Sequence, residues 1–313
     1  MSDVMTFDEG LHKRFFDIVG SPEEGAGTGG SRRISQSKAA QAMGYSAGVI
    51  SAYKNHAYNG NVKVLEEKID AWLKREARRL SRMDVPITET TTMEQVRRAV
   101  TIAQDEADIA VIIGEAGSGK TTALRQYAKE SYSSLLIDVD PSFSKVVLMN
   151  EIAHALGVED KGGMNAVIDR VIEALKDRDA VLIIDEADYL SDSSLELVRR
   201  IINDKAHTGV VLVGLPTLEY KIRNLKNDHE QLKSRIGVMV KLNTLKKTDA
   251  EKILGGVWTD LPKETVDAFV KGANGSTRTL VKLMGRVHQL MGINRLEKPD
   301  TEIIAAGGEL LMR

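Results

Sequence analysis

The stretch Gly114-Glu-Ala-Gly-Ser-Gly-Lys-Thr121 limits what this chain can fold into more than any other. It matches G-x-x-x-x-G-K-[ST] in full, follows the apolar run Ile109–Ile113 and precedes the helical sequence Thr122-Ala-Leu-Arg-Gln-Tyr-Ala-Lys. Between a strand and a helix, such a loop curls so that several backbone N–H groups converge on phosphate oxygens at the positive helix end. Gly114, Glu115, Ala116, Gly117, Ser118, Gly119, Lys120, Thr121 and Thr122 are therefore the expected nucleotide contacts. Lys120 is expected to bridge the β- and γ-phosphates of ATP, and the Thr121 hydroxyl to ligate Mg²⁺.

A second motif fits the first. Val-Leu-Ile-Ile-Asp185-Glu186 is an apolar strand that ends in two adjacent carboxylates. Buried strands tolerate carboxylates only at the carboxyl edge, where open α/β sheets bind ligands. Asp185 is placed to hold Mg²⁺ through water, and Glu186 to polarise the attacking water. Further compact runs at Leu135–Val139, Val210–Val213 and Val238–Leu242 alternate with amphipathic helical segments. That alternation predicts an α/β fold with a parallel five-stranded sheet covered on both faces. From about Leu245 no strand-like run remains, which predicts a small helical domain over 246–313 after a core at 85–245.

Phosphoryl transfer builds negative charge that a cation from elsewhere can gate. Arg235, before the last strand, is predicted to reach a neighbouring subunit's nucleotide. Arg278, in Gly275-Ser-Thr-Arg, opens a helix of the tail and is predicted to contact phosphate within its own subunit. The fourth strand should be followed by a polar residue that orients water, yet the run is Gly214-Leu215-Pro216-Thr217. Leu215 cannot do this and Thr217 is the nearest candidate, so slow hydrolysis is expected.

Residues 1–84 differ in character. Residues 6–19 predict a short helix with Leu11, Phe15, Ile18 and Val19 on one face, and 20–31 read as a flexible Gly-rich loop. From Ile34 to Arg82 the pattern is helical. Ala40, Gly44 and Ile50 have helix-turn-helix spacing, and the second helix should expose Ser46, Ala47, Ser51, Lys54 and Asn55. Between Arg32 and Met83 there are eleven Lys/Arg against four Asp/Glu, although the whole chain carries −2. Lys63, Lys74, Arg75, Arg78 and Arg79 could contact phosphates, so a duplex-DNA partner is predicted, without specific readout since no exposed Arg is suited to guanine. With no cysteine, disulfides and thiolate sites are excluded and the cytoplasm is the expected compartment. No apolar stretch approaches the roughly 18 residues of a membrane span.

The order of these parts resembles the B-protein family of phage Mu and its relatives, ATP-dependent target-DNA activators of transposition built on an AAA+ P-loop core. The nucleotide motifs are common to AAA+ proteins. More particular are Ser-Ala-Gly-Val-Ile-Ser followed by Tyr58-Asn-Gly60, Asp140-Pro-Ser142, and Ser234-Arg235-Ile236. The resemblance implies an ATPase that, with ATP, polymerises on DNA as a helical oligomer with little sequence preference. It also implies that the protein presents that DNA to a transposase, which stimulates its hydrolysis. By matching motifs, Lys120, Thr121, Asp185 and Glu186 take the nucleotide roles, and Arg235 and Arg278 the finger and lid roles. Leu215 departs from that pattern, and the connector Gly157–Gly163 is less basic than a DNA-contacting surface should be. Two other readings share the sequence features: a helicase loader preferring single strands, and a transcriptional regulator with one palindromic site.

Overall fold

The computed structural model describes residues 7–20, 34–80, 83–176, 178–224 and 230–311, the side chains of 77–80 and 230 excepted. Beyond Gly20 the predicted flexible loop, and the side chains of Arg78 and Arg79, lie outside the described residues. Two units divide the chain, Met1–Met83 and Asp84–Arg313. The boundary expected near 245 falls inside the second.

Among the described residues, the first unit has four helices: α1 (Glu9–Ile18), α2 (Gln36–Met43), α3 (Ala47–Lys54) and α4 (Val62–Leu80). The first starts at Glu9, not at residue 6, because the Asp8 carboxylate accepts the Leu11 N–H at 2.9 Å and caps it. Gly44 ends α2 at φ 77°, a left-handed conformation that a residue with a Cβ adopts at a cost. The chain then turns directly into α3. Ala40 and Ile50 are fully buried, as the spacing predicts, with Phe15, Tyr53, Leu65 and Ile69 in the same core. Each large apolar side chain buried there contributes about 1.5–3 kcal/mol, which holds short helices that would not persist alone.

In the second unit α5 (Thr91–Glu106) precedes β1 (Ile109–Ile113). There follow α6 (Lys120–Glu130), β2 (Ser134–Asp138), α7 (Lys145–Leu156), α8 (Gly163–Leu175) and β3 (Val181–Asp185). Then come α9 (Asp192–Val198), a π-helical segment Arg199–Lys205 and β4 (Gly209–Gly214). The core closes with α10 (Pro216–Arg223), α11 (Glu230–Ser234) and β5 (Ile236–Lys241). Helices α12 (Lys247–Gly255), α13 (Lys263–Ala273), α14 (Thr277–Asn294) and α15 (Thr301–Glu309) form the tail.

The strands run parallel in the order β2-β3-β4-β1-β5. Side chains alternate across the sheet, so Ile109, Val111 and Ile113 pack with Leu148, Ile152 and Val171, while Ala110 and Ile112 pack with Val96, Val100 and Leu124. Both faces are therefore covered, as purely parallel sheets require. The last strand begins at Ile236, two residues before the predicted Val238, because Gly237 gives the apolar pattern no side chain to show. In the strand order β4 stands between β1 and β3.

Candidate functional site

At the carboxyl edge of the sheet β1, β4 and β3 stand side by side, so the loops that leave them converge. The loop after β1 enters α6 at Lys120, whose ammonium donates to the carbonyls of Gly114 at 2.6 Å and Glu115 at 3.0 Å. Burial lowers the Lys120 pKa below the usual lysine value; the carboxylates of Asp185, Asp188 and Glu115 oppose this, and Arg278 adds to it. The Thr121 hydroxyl donates to Asp185 Oδ2 at 2.6 Å, and the Glu186 N–H donates to Asp185 Oδ1 at 2.9 Å. Asp185 is buried, while Glu186 is exposed and holds φ 56°. A left-handed backbone at a residue with a Cβ is a strained arrangement of the kind that collects at working sites.

These groups line a cavity of about 400 Å³ with Ala116, Gly117, Gly119 and Thr122. Arg278 lies on the same wall, brought there by the tail. Ser276 caps α14 by accepting the Thr279 N–H, and the Arg278 N–H donates to the Gly117 carbonyl at 3.0 Å. Gly117 sits at φ 83°, and a Cβ there would come within 2.5 Å of Ser276 Oγ. Only glycine allows both the loop curl and this close docking of α14.

A second hollow, of about 220 Å³, adjoins the first and shares Gly119, Thr122, Thr277 and Val281 with it. Val85, Pro86, Ile87, Met93 and Ile253 give it apolar walls. Sequence reasoning missed this part, since Met83-Asp-Val-Pro86 reads only as a break between domains. Ser118, which also lines it, has a buried hydroxyl without a hydrogen bond among the described residues. An unmatched Ser118 hydroxyl and a desolvated Lys120 ammonium beside an apolar hollow fit a nucleotide with its phosphates on the loop. Thr121 and Asp185 are the oxygen donors that would hold its magnesium.

Some expectations need correction. Gly114 and Glu115 are not among the residues that line the cavity; their carbonyls face the Lys120 ammonium instead. Leu215 does line it, but Thr217 is exposed and is not on its wall, since Pro216 starts α10 and turns the chain away. Asp188, to which no role was given, fills the space after β4. Its Oδ1 accepts the Leu215 N–H at 3.1 Å, and a side chain at Gly214 would collide with it at 2.5 Å. Its only sequence signal was the second acid of Asp185-Glu-Ala-Asp188. Lys282, one turn after Arg278, also lines the cavity.

Arg235 lies elsewhere. Its carbonyl accepts the Ile109 N–H, which puts it at the amino edge of the sheet. Six residues of strand at about 3.3 Å each separate that edge from the loop edge, roughly 20 Å. In the first unit Ser46, Ala47, Ser51, Asn55, Lys63, Lys74 and Arg75 are exposed, and Lys74 pairs with Asp70 at 2.6 Å. Lys54, the last residue of α3, is half-buried, contrary to expectation. Glu9, His12 and His56 cluster there as well, but the two imidazoles stack at 4.6 Å and 22°. Their in-plane lone pairs cannot meet on one ion, and no metal is assigned to them.

The comparisons with known proteins agree with this geometry. A model of the AAA domain matches residues 103–222. The Mu-like prophage FluMu DNA transposition protein B of Haemophilus influenzae is 30% identical over 259 residues, covering 80% of this chain and 90% of that protein. The ATP-dependent target DNA activator B of Escherichia phage Mu is 30% identical over 67% of this chain and 69% of its own length. Among solved structures, the Aeropyrum pernix ORC2 protein superposes with TM-score 0.53 at 13% identity, covering 72% of this chain and 69% of its own. The Thermotoga maritima RuvB Holliday junction branch migration motor gives TM-score 0.50 at 21% identity, covering 70% and 68%. With the loop, the paired carboxylates and the docked tail in one cleft of an AAA+ fold, the chain belongs to the family of Mu-like transposition B proteins, the ATP-dependent target DNA activators.

Proposed function

We propose that this protein is an ATP-driven assembly switch that forms an oligomer on duplex DNA and hands that DNA to a transposase as a target. The observation that carries the reading is the separation of its two halves of chemistry. Lys120, Thr121, Asp185 and Glu186 sit at one edge of the sheet and Arg235 at the other, roughly 20 Å away. Arg235 therefore cannot serve its own nucleotide, and a complete site needs a second chain.

In this reading Lys120 neutralises phosphate charge, and Thr121 and Asp185 hold the magnesium of ATP. The bound nucleotide supplies the scissile phosphoanhydride. Glu186 accepts the proton of the attacking water, while Arg278 keeps the tail closed over the loop from within the same chain. Arg235 of a neighbour stabilises the charge that develops. Hydrolysis is slow, since Leu215 offers no polar group after β4, so the ATP state lasts long enough to organise DNA.

The DNA surface includes the exposed face of α3, with Ser46, Ser51 and Asn55, together with Lys54 and Lys63. Its chemistry is that of phosphate contact without base readout. Binding to duplex DNA of unrelated sequences, measured against salt with and without ATP, tests the reading. The expected result is sequence-indifferent binding that ATP strengthens and salt weakens. A strong preference for single strands would favour a helicase loader, and one tight palindromic site an operator-binding regulator.

A further inference from the structure

The amino edge holds a chain of alternating charge that no motif announced. Arg199 is 5% exposed and donates through Nε to Glu196 Oε2 at 3.0 Å. It also pairs with Asp204. Asp204 in turn lies 3.0 Å from Arg235 Nε, so the order is Glu196, Arg199, Asp204, Arg235 with signs alternating throughout. The π-helical segment makes this possible. Residues 199 and 204 are five apart, and the wider i to i+5 turn stacks them where an α-helix would not. Asn203 in the same segment donates to the carbonyls of Ala107 at 2.6 Å and Thr208 at 3.3 Å, which ties the segment to the starts of β1 and β4. Asp204 Oδ1 is buried and has no hydrogen bond among the described residues, which leaves Arg235 as its charge partner. That contact uses the Nε of Arg235, and its side chain is 52% exposed. A guanidinium ion-paired at Nε still has two terminal nitrogens to offer outward.

Resting on the proposed role of Arg235 across subunits, we infer that Asp204, itself held by Arg199, is the positioning residue that presents Arg235 to the neighbouring subunit's nucleotide. The π-helical segment is then the bracket of the gating arginine. A misplaced cation costs roughly 10- to 100-fold in rate without altering how a single chain binds nucleotide.

ATP hydrolysis by full-length chains with duplex DNA, in pure and mixed populations, tests this. D204N is expected to lose roughly 10- to 100-fold in hydrolysis with unchanged ATP affinity of the monomer, and D204E to recover part of it. The double variant D204N/R235A should be no slower than R235A alone, since both remove one device. Chains carrying E186Q keep the whole bracket, so mixing them with D204N chains should restore hydrolysis several-fold above either alone. Mixing R235A with E186Q should do the same, and mixing D204N with R235A should not. Recovery with R235A but not with D204N overturns the role of Asp204 and leaves the role of Arg235 standing. No recovery in either mixture overturns both. Should D204N melt below the assay temperature, R235K takes its place, because lysine keeps the charge but cannot pair through one nitrogen and offer two more. A parental rate in R235K would equally overturn the assignment.

Discussion

The two edges of one sheet are built on different plans. At the carboxyl edge, polar groups are drawn together by loops of little freedom: Lys120 and Thr121 by the turn into α6, Asp185 and Glu186 by the end of β3. At the amino edge, Arg235 is placed by backbone pairing to β1 and held by a carboxylate from a π-helical segment. In the proposed function the first edge carries the parts that touch nucleotide, and the second carries a part that acts on a neighbouring chain. On that proposal, separating them makes catalysis conditional on assembly. An enzyme with every group at one edge would hydrolyse ATP alone and could not report on its neighbours.

Substitutions at the two edges should therefore fail differently. The largest effect is expected from Lys120→Ala, which removes the charge on the phosphates. ATP affinity should fall by roughly 100-fold, with loss of ATP-dependent DNA binding, measured by equilibrium titration. Glu186→Gln should leave affinity intact and reduce hydrolysis about 100- to 10,000-fold, giving longer-lived DNA complexes. At the other edge, Arg235→Ala should lower hydrolysis on the order of 100-fold while the monomer binds ATP as before. An equal loss of affinity would erase the distinction between the edges. Asp188→Asn, which weakens the link to Leu215, should cost about tenfold in hydrolysis and little in binding.

The smallest effect concerns pH and separates the carboxyl edge from the rest. Burial lowers the Lys120 pKa, so this lysine loses its proton below the ordinary range near 10.4. Across that window the unfolded chain binds more protons than the folded one, so the contribution of Lys120 to stability rises with pH. Its hold on phosphate falls over the same window. Melting curves of the parent and Lys120→Met should therefore differ less as pH rises, while the ATP affinity of the parent declines. A difference that grows with pH would contradict the burial of this charge.

The carboxyl edge was largely legible in the sequence, and the amino edge was not. Phosphate loops and paired acids are local: their chemistry requires fixed residue types at short spacing, so Gly114–Thr121 and Asp185–Glu186 announce themselves. The five strands were visible because parallel strands are continuous Val, Ile and Leu runs. The apolar hollow from Val85 to Met93 was missed because apolar contact needs no particular residue type. Asp188 was missed because its role depends on Gly214 having no side chain, and the Asp204–Arg235 pair because it joins residues 31 apart through a non-standard helix. In the first unit, Ala40, Gly44 and Ile50 gave the two-helix turn, while the half-burial of Lys54 depended on packing that spacing does not encode.

The central claim is that ATP assembles this chain on DNA because no single copy owns a complete site. Electron microscopy of the protein with duplex DNA and non-hydrolysable ATP tests it most directly. Regular filaments or rings on the DNA are the expected result, absent without nucleotide and absent with Lys120→Ala. Isolated single copies on the DNA under the same conditions would contradict it.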